Sequence, residues 1–140
     1  MRWDGDERGR GIGDATALAP GAEELVRALH ERGWVAEDAD AHLLPHLRAA
    51  VAELPLELVR ADQRDDGAYV VELTWQGEPR DLRGARAAVF SLLGAVAETA
   101  TYVRQRRNDA LEFEVATGIL GDGAVAPHGH VLLVRVAGVI

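Results

Sequence analysis

Four of the five histidines occur as two close pairs, and imidazole nitrogens are common ligands of transition metals. His42 and His46 are four residues apart, so on one continuous helix they share a face at the separation that metal ligands use. His128 and His130 are two residues apart, so on a strand that begins near Gly129 they project to the same side. If the two pairs meet in the folded chain, they predict a zinc or iron site.

A carboxylate would complete such a site, and the candidates are Asp40, Glu112 and Glu114. With Glu112 as the base for a metal-activated water, the chain would be a metal-dependent hydrolase, and without that chemistry it would be a metal-binding protein. The alternative, which we favour, is that the histidines are ordinary polar residues and that the chain binds no cofactor. Pro45 favours this alternative for the first pair, because proline bends or starts a helix.

A second group of residues combines basic and aromatic side chains. Tyr102, Arg104, Arg106 and Arg107 could bind a phosphate, a carboxylate or a single-stranded nucleic acid. The alternative is that these arginines only mark the C-terminal end of a helix, where cations are favourable. The cluster therefore predicts a small-anion or ligand site as one further hypothesis.

Missing residue types exclude several reaction classes. The chain contains no Cys and no Lys, which excludes thiolate nucleophiles, thiolate zinc sites, Schiff bases and the phosphate-loop lysine. The single serine, Ser91, lies in an apolar helical pattern, where its hydroxyl is more suited to bonding its own backbone than to attacking a substrate. We therefore do not expect a serine hydrolase.

Charge and hydropathy indicate a soluble protein. The formal net charge of −8 over 140 residues repels phosphate backbones, so nucleic-acid binding is not expected. The N-terminus lacks the pattern of a secretory signal, and no segment reaches the roughly 20 apolar residues that span a bilayer. We expect a cytoplasmic protein with no membrane contact.

The N-terminal part of the chain divides into an arm and the start of a domain. Residues 1–20 mix Gly, Asp, Arg and Glu without apolar spacing, which predicts a disordered or loosely ordered arm. Residues 21–140 are expected to form a single domain. Its first helix follows the apolar spacing that begins at Ala22, and Gly33 supplies the stop.

Two further helices are predicted. The second has Asp38 or Asp40 as its cap and either bends at Pro45 or starts there after a short extra turn. The third is a long helix capped by Asp81, and we expect it to continue through the basic cluster because its apolar positions repeat about every 3.5 residues. The alternative is a strand over residues 99–106, which are rich in β-branched and aromatic types.

The strands are recognised by alternation and by their turns. Asp66 and Gly67 form a hairpin turn, and the last strand is almost continuously apolar, which indicates a central position. A loop of about a dozen residues over 118–129 precedes it. The strands are predicted over residues 56–61, 68–76, 111–117 and 131–136.

Together these elements predict an α+β fold. Two N-terminal helices precede an antiparallel sheet of four strands, or five if residues 99–106 are a strand, with a long helix between two hairpins. We expect the helices to pack on one face of the sheet.

The absence of a nucleophile or cofactor motif favours a non-catalytic module that binds a partner protein or associates with itself. In a dimer, the edge strands of the sheet would form the interface. The alternatives are a zinc or iron protein that uses the paired histidines and an anion binder that uses the arginines.

Overall fold

The computed structural model describes residues 22–96, 100–107, 111–117 and 127–139, with only the backbone described for Ala22 and for residues 100–107. The predicted arm at residues 1–20 and most of the predicted loop at 118–129 lie outside the described residues. In chain order the elements are α1 (Ala22–Glu31), β1 (Val35–Ala36), α2 (Ala39–His42), α3 (Leu44–Ala52), β2 (Leu56–Gln63), β3 (Tyr69–Trp75), α4 (Leu82–Val96), β4 (Ala100–Arg107), β5 (Glu112–Thr117), β6 (His128–Gly129) and β7 (Val131–Ala137).

The five longer strands form a mixed sheet in the order β2-β3-β7-β5-β4. β7 pairs antiparallel with β5 but parallel with β3, with Tyr69 opposite Leu132. The α+β class is therefore confirmed, whereas the prediction of a purely antiparallel sheet is wrong. The reason is that β7 is inserted between β3 and β5, the inner strands of the two hairpins. These two strands run in opposite directions, so a strand between them that is antiparallel to β5 is parallel to β3. Its central position agrees with its apolar sequence.

One face of the sheet, which we call the helix face, packs against α2, α3 and α4. α4 starts as predicted, because the carboxylate of Asp81 accepts a hydrogen bond of 2.9 Å from the backbone N–H of Gly84. None of the described helices is long and apolar enough to span a membrane. The largest fully buried side chains of this core are Leu47, Leu73, Leu92, Leu93, Leu111, Tyr69 and Phe113.

The other face, which we call the open face, is covered in part by α1. Leu25, Val26 and Leu29 of α1 belong to a separate apolar cluster with Ala116 and Val131, which are register partners on β5 and β7. The prediction that all helices pack on one face is therefore wrong for α1. The small side chain of Ala116 beside Val131 leaves an apolar area on this face that a helix can cover.

The end of α1 is fixed by a Schellman motif. Gly33 has a positive φ of +91°, its N–H donates to the carbonyl of His30, and the N–H of Trp34 donates to the carbonyl of Leu29. The predicted stop at Gly33 is thus confirmed. His30 also joins α1 to the β2–β3 turn, since its Nδ1 lies 3.0 Å from the Trp34 carbonyl oxygen and its Nε2 lies 3.1 Å from that of Asp66.

The predicted second helix is divided into α2 and α3. Asp38 caps α2 by accepting hydrogen bonds from the N–H groups of Asp40 and Ala41. Pro45 lies in the first turn of α3, where proline costs no helical hydrogen bond. Of the two arrangements considered for this proline, the structure has the one in which the helix starts there after a short extra turn.

The long helix ends earlier than predicted. α4 ends at Val96, and β4 begins at Ala100 and pairs antiparallel with β5. The preference for a helix through the basic cluster is therefore wrong, and the alternative of a fifth strand is confirmed. A helical apolar spacing that runs into alternating β-branched residues is ambiguous, and pairing with β5 resolves it in favour of the strand.

Candidate functional site

The first histidine pair does not share a helix. His42 is the last residue of α2 and His46 lies in the first turn of α3, with the break between the two helices separating them. Both side chains are exposed. The expected four-residue spacing on one continuous helix is therefore not present, because Pro45 starts a new helix between them.

The second pair is divided between two environments. His128 belongs to β6, is exposed and is the register partner of Val35. His130 lies between β6 and β7 and has a side chain that is only 13% exposed. The backbone N–H of His130 donates a 2.7 Å hydrogen bond to Oγ1 of Thr117, and the N–H of Thr117 donates to the His130 carbonyl.

One histidine from each pair lies in the same part of the fold. Nε2 of His130 is 3.9 Å from Oε2 of Glu37, and burial lowers the pKa of His130, an effect that Glu37 opposes and the nearby His42 reinforces. Within the described ranges, no three His, Asp or Glu side chains are placed to hold a metal ion together. The described residues thus provide a histidine–carboxylate contact here and no third ligand among them.

The three carboxylates suggested as ligands lie in different places. Asp40 accepts a 3.1 Å hydrogen bond from the Tyr69 hydroxyl, and burial together with this carboxylate raises the pKa of Tyr69 to about 12. Glu112 and Glu114 occupy alternate positions of β5 on the open face. The Asp40–Tyr69 bond therefore holds α2 against β3 through a phenol that stays protonated.

The basic cluster lies on β4, at one edge of the sheet. By register, Tyr102 is opposite Ala116, Arg104 is opposite Glu114 and Arg107 is opposite Glu112, whereas Arg106 lies at an irregularity between paired positions. Three of the four predicted residues therefore occupy register positions of the open face. Their side chains lie outside the described part of the structure.

The open face carries a row of charged residues that alternate in sign from strand to strand. The register places Arg60 opposite Glu72, Glu72 opposite Arg135, and Arg135 opposite Glu112. We call these four residues the charge row; the register position of Arg107 extends it onto β4. The row therefore crosses the whole sheet on one face.

Hydrogen bonds hold the charge row in place. Nε of Arg135 donates to Oε2 of Glu112 at 2.9 Å, and Nη1 of Arg60 donates to Oε1 of Glu72 at 3.3 Å. Bonds to Asp62 first, and then to Glu72, raise the pKa of Arg60 above its ordinary value. The two arginines of the row remain accessible, with side chains 54% and 63% exposed, whereas the side chains of Glu72 and Glu112 are 33% and 17% exposed.

A groove of about 320 Å³ runs beside the charge row and is bordered by the half-buried side chains of Val70 and Leu133. Next to Leu133 in register is Glu114, which is fully buried. Its β4 register partner is Arg104, the residue type that a buried carboxylate requires beside it. The groove thus combines an apolar border with fixed charges of both signs.

Sequence reasoning did not single out Arg60, Glu72 or Arg135. One signal was visible: Arg135 is the only charged residue in the apolar run at 131–136. The alternation of the row was not visible, because it depends on which residues of four strands face each other, and this register is a tertiary property.

Comparisons of this chain with protein-family models, with curated proteins and with solved structures return no match. A functional assignment must therefore be based on the geometry of the candidate surfaces. Among the described residues, the charge row places four charged side chains of alternating sign side by side on one face of the sheet.

Proposed function

We propose that this chain is a non-catalytic protein-interaction module and that the charge row on the open face is its binding surface. The observation that carries the proposal is the strict alternation of Arg60, Glu72, Arg135 and Glu112 across four neighbouring strands. This row lies on the part of the open face beyond the apolar cluster that α1 covers.

Stability alone is a weak reason for such a row. An exposed ion pair contributes only about 0–1 kcal/mol to folding, since water and salt screen it. In recognition, however, an ordered pattern of charges favours one partner and one orientation, because every misplaced partner brings like charges together. The charge row is therefore better suited to selecting a partner than to holding the sheet together.

The size of the surface favours a transient partner over a stable homodimer. Five strands spaced about 4.8 Å apart and three residues along each give roughly 240 Å² beyond α1. Stable specific interfaces bury about 800 Å² on each partner. We therefore assign the charge row to a reversible contact with another protein, and a second copy of this chain is an outcome for the test to detect.

The other two functions suggested by the sequence have less support. A metal-dependent activity needs a ligand set, and the described ranges contain no group of three suitable side chains. Binding of a small anion by the predicted Arg104 and Arg107 would compete with the carboxylates of Glu114 and Glu112, which lie opposite them in register.

The test compares two charge reversals of equal size. Arg135→Glu inverts the middle of the row, whereas Arg80→Glu changes an exposed residue before α4 and outside the row. Proteins captured from the native host by the wild-type chain are purified and their binding is measured by calorimetry, with sedimentation used to detect self-association. We expect one captured protein to bind at least about tenfold more weakly to Arg135→Glu and equally to Arg80→Glu.

The proposal is wrong if every purified protein binds both variants as tightly as it binds the wild type. It is also wrong if no captured protein binds in a purified pair. Thermal unfolding of both variants, compared with the wild type, shows that a loss of binding does not come from unfolding.

A further inference from the structure

The spacing of the charge row defines the shape of the partner that fits it. We infer, on the basis of the proposed function, that the charge row binds an α-helix lying across the strands, with acidic and basic residues alternating on one helical face. The argument uses the four row residues whose side chains are described: Arg60, Glu72, Arg135 and Glu112.

The first step is the length of the row. Four neighbouring strands place its ends three strand spacings apart, which is about 14 Å at about 4.8 Å per strand. A partner must present four charges over the same length, in the order acidic, basic, acidic, basic. Each partner charge then lies over an opposite charge of the row.

A helix matches this length. Residues at i, i+3, i+7 and i+10 lie on one helical face and span ten residues, or about 15 Å at 1.5 Å per residue. An extended segment shows alternate residues on one face, so its four charges at i, i+2, i+4 and i+6 span about 20 Å. The mismatch of about 6 Å exceeds one strand spacing. The third charge of an extended partner, which is acidic and lies about 13 Å along, would therefore meet the like charge of Glu112.

The row still has bonding capacity for a partner. Arg135 donates through Nε to Glu112, and neither of its Nη groups makes a hydrogen bond within the described residues. Likewise, Oε2 of Glu72 accepts none from the described side chains. A helix over the row can therefore add charge-assisted hydrogen bonds without breaking those already present.

The open face already accommodates a helix. α1 packs its apolar side chains on this face over Ala116 and Val131, and Leu133 extends the same cluster towards the charge row. A second helix beside α1 would cover the half-buried Leu133 and Val70 at the border of the groove. The partner helix is thus expected to place apolar residues next to its charged stripe.

The experiment uses designed peptides and the full chain. Alanine-rich peptides of about 20 residues, long enough to form a helix in water, carry Glu, Arg, Glu and Arg at i, i+3, i+7 and i+10. A segregated isomer carries Glu, Glu, Arg and Arg at the same positions. An extended isomer, in which threonine replaces alanine so that a helix is disfavoured, carries the alternating charges at i, i+2, i+4 and i+6. Helix content is checked by circular dichroism, and binding is measured by fluorescence anisotropy at low salt.

We expect the alternating helical peptide to bind at least about tenfold more tightly than either isomer, with a preference that decreases as salt rises. Arg135→Glu should remove the preference and Arg80→Glu should keep it. A peptide with Arg in place of the second Glu should regain binding to Arg135→Glu, which a merely unfolded variant could not do.

Equal binding of the three peptides, absence of binding, or tighter binding of the extended isomer would overturn the helix inference. The proposed function is tested separately, because the Arg135→Glu effect on a natural partner does not depend on that partner's secondary structure. A natural partner that binds the row through an extended segment would support the proposed function and refute the helix.

Discussion

Gly129 provides a sharp test of the packing between β6, the end of β5 and Trp34, which follows α1. A Cβ at this position would lie 2.6 Å from the carbonyl oxygen of Thr117 and 2.7 Å from Nε1 of Trp34, whereas ordinary contacts begin at 3.4 Å. The carbonyl belongs to β5 and cannot rotate away, so Gly129→Ala must displace a strand or the buried indole. Overpacking of this kind costs about 1–3 kcal/mol, and we expect the upper half of that range.

Gly94 is the matched control for the same chemical change. It lies within α4, and a Cβ there would meet nothing within 4 Å. Gly94→Ala should therefore raise the free energy of unfolding by about 0.5–1 kcal/mol through helix propensity. Urea unfolding followed by tryptophan fluorescence measures both variants. The packing argument fails if Gly129→Ala unfolds within about 0.5 kcal/mol of the wild type, or if Gly94→Ala is the less stable variant.

Two further predictions concern a helix cap and a titration. Asp81→Ala removes the acceptor of the Gly84 N–H and should lower the free energy of unfolding by about 1 kcal/mol; an unchanged urea midpoint would contradict the role of this cap. Burial lowers the pKa of His130 more than Glu37 raises it, so below the ordinary value of 6.5 the unfolded chain takes up a proton that the folded chain does not. Stability should therefore decrease as the pH falls from 8 to about 5.5, less so in His130→Gln and equally in the exposed control His46→Gln. Identical pH profiles for the wild type and His130→Gln would refute this assignment.

Local signals predicted most of the secondary structure. The stop at Gly33, the Asp81 cap and the Asp66-Gly67 turn all depend on neighbouring residues, and each is found where the sequence placed it. The parallel pairing of β3 with β7 could not be predicted in the same way. It depends on where a distant strand is inserted, which no short segment records.

The candidate site was less predictable than the fold. Histidine spacing indicated a metal site. A four-residue spacing places two side chains on the same face only within one continuous helix, and Pro45 divides the first pair between two helices. The charged residues of the open face were visible as ordinary polar positions of amphipathic strands. Only the register of β3, β7 and β5 shows that Glu72, Arg135 and Glu112 stand side by side.

The central position of β7 has a consequence for the order of folding during synthesis. β2 and β3 can form one hairpin and β4 and β5 another as soon as each leaves the ribosome, but the sheet joins only when residues 131–137 arrive between them. Until then the inner edges of β3 and β5 have unpaired backbone groups, which can pair with other chains. The complete sheet therefore forms late, when β7 pairs with both hairpins. We expect this pairing to be the slowest step of folding.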